Sequence, residues 1–205
     1  MHKRRIAAIA AVATWALAAL PAGALDAPVI GAAAPVFTLP DSHGQQRSLG
    51  DFRGRHVVLE WVNYDCPFVG KHYGSGNMQK LQKEYTAKGV AWLSINSSAP
   101  GKQGNFPPDR INALIGEKGA TPTAYLIDEQ GEVGRAYGAK TTPHVFVIGP
   151  EGNLLYAGGI DDKPSTDQAD IPGATNFVRA ALAEALAGKP VSRATSPPYG
   201  CGVKY

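Results

Sequence analysis

Two cysteines, Cys66 and Cys201, are the scarcest reactive side chains in the chain. Cys66 comes shortly after the apolar run Val57-Val58-Leu59-Glu60-Trp61-Val62 and directly before Pro67 and a stretch rich in helix formers. That order predicts a buried strand, a turn and a helix, with the cysteine at the helix N-cap. Free N–H groups and the dipole at a helix N-terminus favour thiolate over thiol. Pro67 suits the first helical position, where its missing N–H would have had no partner. Asp65 works against ionisation, because an adjacent carboxylate disfavours a second negative charge. A buried, inert cysteine is the plainer alternative, but the strand-to-helix position favours a reactive thiol. Cys201 sits near the C-terminus with a glycine on each side. Three readings stay open for it. It resolves a mixed disulfide or sulfenic acid on Cys66. It forms a static disulfide with Cys66, worth ~4–5 kcal/mol in the entropic account of so long a loop. Or the two thiols never meet.

A second cluster of interest is Thr141-Thr142-Pro143-His144, immediately before the apolar Val145–Ile148. A proline there cannot donate to a sheet ladder. It marks either a special loop with a cis bond or an ordinary trans start to a strand. His144 follows it, and His72 lies in the helix-forming stretch after Cys66. The two cysteines and these two histidines, chiefly Cys66, His144 and His72, could make a copper or zinc site. Their spacing matches no compact metal motif, so no metal is expected and the histidines read as cleft or solvent-facing residues. Lys71 and Lys80 read as a solvated face, Asp161-Asp162 as a solvated turn, and Trp61 as core packing or a shield near Cys66.

These residues need a scaffold. Short strands are expected at Val36–Leu39 and Gln46–Leu49, then at Val57–Val62, Val90–Ile95, Thr123–Ile127, Val145–Ile148 and Leu154–Ala157. A helical region is expected to open at Cys66-Pro67, irregular in its first half because of Gly70, Gly74 and Gly76 and rich in helix formers over Met78–Lys88; further helices are expected from Asp109 through Ile115 and over Asn176–Ala187. Gly134–Gly138 reads as a short helix or turn, Asp161–Gly173 as a surface insertion, and Val191–Tyr205 as an irregular tail. The pattern predicts an α/β domain with one mixed sheet and helices on both faces.

The 205 residues carry a formal net charge of +3, and 44% are apolar, enough for a real core. The excess charge lies entirely at Lys3, Arg4 and Arg5; the remaining basic residues balance the 17 acidic ones. Nothing supports a basic surface for nucleic acid. Those three charges precede an apolar run, Ile6–Leu20, then Pro21 and the small-x-small motif Ala22-Gly23-Ala24. This is the anatomy of a secretory signal peptide cleaved after Ala24. The run is shorter than the ~20 residues that span a bilayer, so no membrane attachment is expected after cleavage. The implied location is periplasmic or secreted, where disulfides persist. The expected organisation is a signal peptide over 1–24, one domain over 25–190 and a tail carrying Cys201 over 191–205.

From Gly31 to Tyr205 the chain resembles the thioredoxin superfamily. Within it, the likeness is to the redoxin branch that includes the alkyl hydroperoxide reductase/thiol-specific antioxidant proteins. The resemblance rests on Ala34-Pro35-Val36-Phe37 with Leu39, Leu49-Gly50-Asp51-Phe52-Arg53-Gly54, the strand to Trp61, and Cys66-Pro67-Phe68-Val69. It continues with Thr142-Pro143 before Val145–Ile148, and with Gly152-Asn153. It implies a thioredoxin-like fold with an N-terminal β extension, a cis Pro143 lying against Cys66, and no cofactor. It also implies that Thr142, Pro143, Pro67 and Phe68 form the substrate-binding surface, with Thr142 offering backbone groups to a substrate chain.

The departures from the family patterns matter as much. A thioredoxin Cys-x-x-Cys would need a cysteine at Val69. The peroxiredoxin pattern Pro-x-x-x-(Thr/Ser)-x-x-Cys would need Pro at Leu59 and Thr or Ser at Asn63; shifted to end at Val69, it fits no better. Cys66 therefore resembles the first cysteine of a thioredoxin motif, in a peroxiredoxin-like subgroup. The expected function is that of an exported thiol-disulfide oxidoreductase using Cys66, released from the mixed disulfide by Cys201 or by an external thiol. Its partners would be an oxidised or thiol-containing protein or small molecule, and an external thiol or redox partner. The alternatives are a peroxiredoxin-like antioxidant peroxidase, or a non-enzymatic thiol/His copper-binding or interaction module.

Overall fold

In the computed structural model, which describes residues 27–205, an antiparallel hairpin of β1 (Thr38–Pro40) and β2 (Gln46–Ser48) leads through a 3-10 turn at Leu49–Phe52 into β3 (Val57–Trp61). Residues 1–24, read from the sequence as a signal peptide, lie outside the described residues. After β3 come α1 (Pro67–Gly74), α2 (Asn77–Ala87), β4 (Ala91–Asn96), α3 (Pro108–Glu117), β5 (Ala124–Ile127) and α4 (Glu132–Ala136). The chain then runs through β6 (Thr141–Thr142), β7 (His144–Ile148), β8 (Leu154–Gly158), a 3-10 segment at Gln168–Gly173, α5 (Phe177–Leu186) and β9 (Cys201–Gly202). The main sheet has the order β5-β4-β3-β7-β8. Its first three members are parallel, while β7 and β8 are antiparallel additions. This is the expected mixed sheet with helices on both faces and an N-terminal β extension. Among the described residues, no helix is long and apolar enough to cross a membrane.

Strand alternation divides the core into two layers. Val58 and Val62 face a cluster with Trp92, Val145 and Val147, covered by residues of α1, α2, α3 and α5. Val57, Leu59 and Trp61 face the opposite cluster with Leu93, Ile95, Phe146 and Ile148, covered by the N-terminal extension and α4. Trp61 stacks there with Tyr137 and Phe146, so it is core rather than a shield over Cys66.

The helix expected to be irregular is two helices. Gly76, at φ 73°, takes the left-handed conformation that only glycine adopts freely, and it separates α1 from α2. The helix expected to start at Asp109 begins one residue earlier, at Pro108, and Asp109 sits in its first turn without capping it.

Glu60 is fully buried in the middle of β3. Its two carboxyl oxygens accept hydrogen bonds from the Tyr73 hydroxyl of α1 (2.9 Å), the Gln82 amide of α2 (3.3 Å), and the Trp92 indole (2.7 Å) and Ser94 hydroxyl (3.2 Å) of β4. One side chain thus ties two helices to two strands. Burial pushes the Glu60 pKa up despite these donors.

The tail is irregular, as expected, but it is docked along its length. The Ala157 N–H of β8 donates to Ala194, and Ser196 N–H donates to Ala157. The Ser196 hydroxyl meets Tyr156 and accepts from Gly159 N–H. The Tyr199 hydroxyl donates to Asp161 and meets His72 Nε2 at 3.0 Å. Beyond Cys201, Val203 N–H donates to Lys140, Ala99 N–H donates to Lys204, and the Tyr205 hydroxyl donates to Ala139. We call residues 191–205 the strap.

Two outcomes test these networks. Glu60→Ala leaves the Trp92 indole and its fellow donors unpaired and should cost about 3 kcal/mol in chemical denaturation, with Glu60→Gln recovering most of it. Because the folded pKa of Glu60 is raised, its favourable contribution is fully present below the ordinary carboxylate pKa and is lost as pH rises through the folded value. Glu60→Gln should therefore flatten the decline in stability as pH rises above the ordinary carboxylate range. Tyr199→Phe removes the strap's buried hydroxyl contacts and should weaken strap docking by about 1–3 kcal/mol. Amide exchange at residues 200–203 should rise, with little change in the global melting temperature.

Candidate active site

Cys66 stands where the sequence puts it, at the N-cap of α1, with Pro67 in the first turn. Its N–H donates to Asn63 at 3.0 Å and its carbonyl accepts from Gly70 at 2.8 Å, so the chain turns sharply from the end of β3 into the helix. The thiol makes no capping hydrogen bond of its own. It points across to the end of β6, where its Sγ lies 3.0 Å from the Thr142 carbonyl oxygen. The Thr142-Pro143 peptide bond is cis, the geometry the resemblance implied.

The short strand β6 pairs with β9, Thr142 opposite Cys201 and Thr141 opposite Gly202. This pairing sets Cys201 Sγ 2.6 Å from Cys66 Sγ. Both cysteines are free thiols, and a small displacement would bring their sulfurs to the ~2.0 Å of a disulfide bond. Of the three readings for Cys201, the one in which the thiols never meet is overturned by this contact. Cys66 is only 1% exposed, beneath the strap, while Cys201 keeps partial access to solvent.

The two thiols are electrostatically unequal. Burial opposes ionisation of Cys66. The hydrogen bond with the Cys201 thiol and the nearby backbone N–H dipoles of Val69 and Cys201 outweigh it and hold the Cys66 pKa below the ordinary thiol value. Cys201 is pushed up to about 11, by burial, by its hydrogen bond to Cys66 and by the negative charge that Cys66 carries when ionised. The pair shares one easily lost proton, and Cys66 is the sulfur that ionises.

Phe68, next on α1, turns its ring edge toward Tyr199 with centroids 6.0 Å apart. Phe68 is thus packed against the strap at the rim of the site. The proposed metal set is not assembled. His144 is on the other face of the sheet, where its ring packs on Phe146 and its Nδ1 accepts from Lys140 N–H at 3.3 Å. His72 faces the strap, held by Tyr199 and by the Asn77 amide at 2.8 Å. Strand alternation separates His144 from the Cys66 face, and among the described residues no three His, Cys, Asp or Glu side chains are placed to hold a metal ion. Burial pushes both histidines down to about 4, so both are neutral near pH 7.

Three residues that sequence reasoning passed over hold the strap. Lys71 and Asp161, read as solvated, are 1% and 2% exposed. Lys71 Nζ donates to the Lys163 carbonyl at 2.6 Å and lies 3.6 Å from Asp161 Oδ2. Tyr199, two residues before Cys201, joins this pair and His72 into one buried polar cluster. A cationic residue inside a Gly-interrupted helix segment was the only available signal, and it does not name a partner.

With this geometry in place, comparison with known proteins is informative. The thiol-disulfide oxidoreductase ResA of Geobacillus thermodenitrificans is 28% identical over 126 residues, which cover 61% of this chain and 66% of that protein. The chain thus spans just under two thirds of that relative's length. A putative peroxiredoxin of Mycobacterium tuberculosis is 29% identical over 141 residues, covering 56% of this chain and 88% of that protein. The crystal structure of an uncharacterized conserved protein from Geobacillus kaustophilus superposes with a TM-score of 0.76 at 29% identity, covering 86% of this chain and 92% of that one. The AhpC/TSA family model matches residues 30–157, well over half of the chain, and the chain belongs to that family, the redoxin branch of the thioredoxin-like fold.

Proposed function

We propose that the chain is an exported thiol-disulfide oxidoreductase in which Cys66 is the nucleophile and Cys201 the resolving thiol. The observation that carries this reading is the 2.6 Å approach of the two sulfurs across the β6–β9 pairing. The AhpC/TSA membership and the oxidoreductase relative support it. Export rests on the signal-like residues 1–24, and it would leave a redoxin domain over 25–190 and the strap over 191–205 in the periplasm or outside the cell. Pro143, Thr142, Pro67 and Phe68 would line the substrate groove.

In this mechanism the Cys66 thiolate attacks one sulfur of a substrate disulfide. The other substrate sulfur leaves as a thiolate and takes a proton from solvent. Cys201 then loses its proton and attacks Cys66 Sγ, which forms the Cys66–Cys201 disulfide and expels the second substrate thiol. One substrate disulfide is reduced to two thiols and one protein disulfide is made. An external thiol or redox partner reverses the last change. The low pKa of Cys66 favours the first step; once Cys66 is held in the mixed disulfide it carries no charge, which removes part of what keeps Cys201 protonated and eases the second step.

A second reading is favoured by the M. tuberculosis relative. A peroxide would oxidise Cys66 to sulfenic acid with release of the corresponding alcohol or water. Cys201 would then condense with it, expelling water and forming the same disulfide.

Mild oxidation should link Cys66 and Cys201 in non-reduced peptide maps, and Cys66→Ser should abolish disulfide exchange. Cys201→Ser should accumulate a mixed disulfide at Cys66 and lower multiple-turnover exchange by about tenfold or more. A Cys66→Ser variant as active as wild type would sink both redox readings, and peroxide turnover without disulfide exchange would select the second. Cys201→Ala removes a donor to the Cys66 sulfur. The pH midpoint of Cys66 alkylation should move up from its wild-type value, with Cys201→Ser, which retains an O–H donor, shifting it less.

A further inference from the structure

The strap occupies a backbone edge that something else could use. β6 lies outside the five-stranded sheet, and its strand partner is β9. Without the strap, Thr141 and Thr142 would present unpaired backbone groups beside Cys66, the kind of edge to which an extended peptide adds itself as a strand. A cysteine paired opposite Thr142 is delivered onto Cys66 Sγ, as Cys201 is. The edge also imposes a condition on the preceding residue. Gly200 has φ 146°, and a Cβ there would strike the Thr142 carbonyl oxygen. At Gly202 a Cβ would meet open space.

We propose that Gly200-Cys201-Gly202 is a resident competitor for the β6 edge, and that a polypeptide partner must displace it with a segment carrying glycine immediately before its own cysteine. This rests on Cys66 being the exchanging thiol. The strap lifts, the partner's Gly-Cys segment pairs with Thr142, and its disulfide is attacked by the Cys66 thiolate to give a mixed disulfide and one partner thiol. The strap then returns. Cys201 attacks Cys66 Sγ and gives up its proton, the second partner thiol departs with a proton, and the partner loses the edge as well as the covalent bond. One segment thus gates entry and ejects product.

The test uses the full chain with Cys201→Ser, which stops the cycle at the mixed disulfide. Single-turnover rates at Cys66 are measured with a peptide disulfide carrying Gly-Cys, the same peptide with Ala-Cys, and glutathione disulfide. Gly200→Ala and, separately, Tyr199→Ala are added to release the strap. Removing an intramolecular competitor should speed the Gly-Cys peptide by about tenfold in both variants. Gly-Cys should react faster than Ala-Cys by about tenfold, the difference a backbone clash imposes. Equal rates for the two peptides, or strap-released variants no faster than their parent, overturn the proposal. Failure of every disulfide, glutathione disulfide included, to form an adduct at Cys66 would instead remove the oxidoreductase reading on which it rests.

Discussion

The backbone pairing of Thr142 with Cys201 is the constraint on which the site depends. A two-residue antiparallel bridge is weak by itself, because so few ladder bonds hold it. Here it places one sulfur within 2.6 Å of another contributed by a helix N-terminus on a different part of the fold. Everything around it keeps that bridge in register. The end of β3 and the N-terminus of α1 fix Cys66, the cis peptide presents the Thr142 carbonyl toward it, and anchors on both sides hold the strap.

Those anchors are polar and buried, which is an expensive way to hold a segment unless each group is paired. Lys71 and His72 on α1, Asp161 on the loop after β8 and Tyr199 of the strap form one polar cluster in which Asp161 Oδ2 has only the Lys71 ammonium, 3.6 Å away, beside it. Glu60 makes a comparable knot further into the core, joining β3 and β4 to α1 and α2. Helix α1 is therefore fixed by Tyr73 on one side and by Lys71 and His72 on another. A hydrophobic contact can slide with little penalty, whereas these directional bonds define one orientation of the helix and hence of the Cys66 sulfur.

Much of this was legible in the residues. A cysteine between an apolar run and a proline-led helix, and a Thr-Pro before a second apolar run, are local patterns with local causes, and both lie where they were expected. The sheet and its flanking helices follow from periodicity in the same way. What was not legible has a common physical basis. Lys71 and Asp161 look like solvated charges because their neutralising partners are far away in the chain, and a single sequence carries no record of such pairings. The tail looked free because its ties are isolated backbone and hydroxyl contacts rather than a periodic pattern. His72 and His144 read as cleft or solvent-facing residues, but both are buried, His144 on the opposite face of the sheet and His72 against the strap.

The strap does not end at Cys201. Val203, Lys204 and Tyr205 continue to the far side of the site, where the Tyr205 ring lies under the Arg135 guanidinium at 4.6 Å. Cys201 is therefore at midspan, like a point on a bridge deck between two piers. Lifting either end alone leaves the other pier standing, so the sulfur swings on a short tether instead of diffusing away on a long arm. Its return is a local search over a few residues, and Val203, Lys204 and Tyr205 act as one of the two supports of the span.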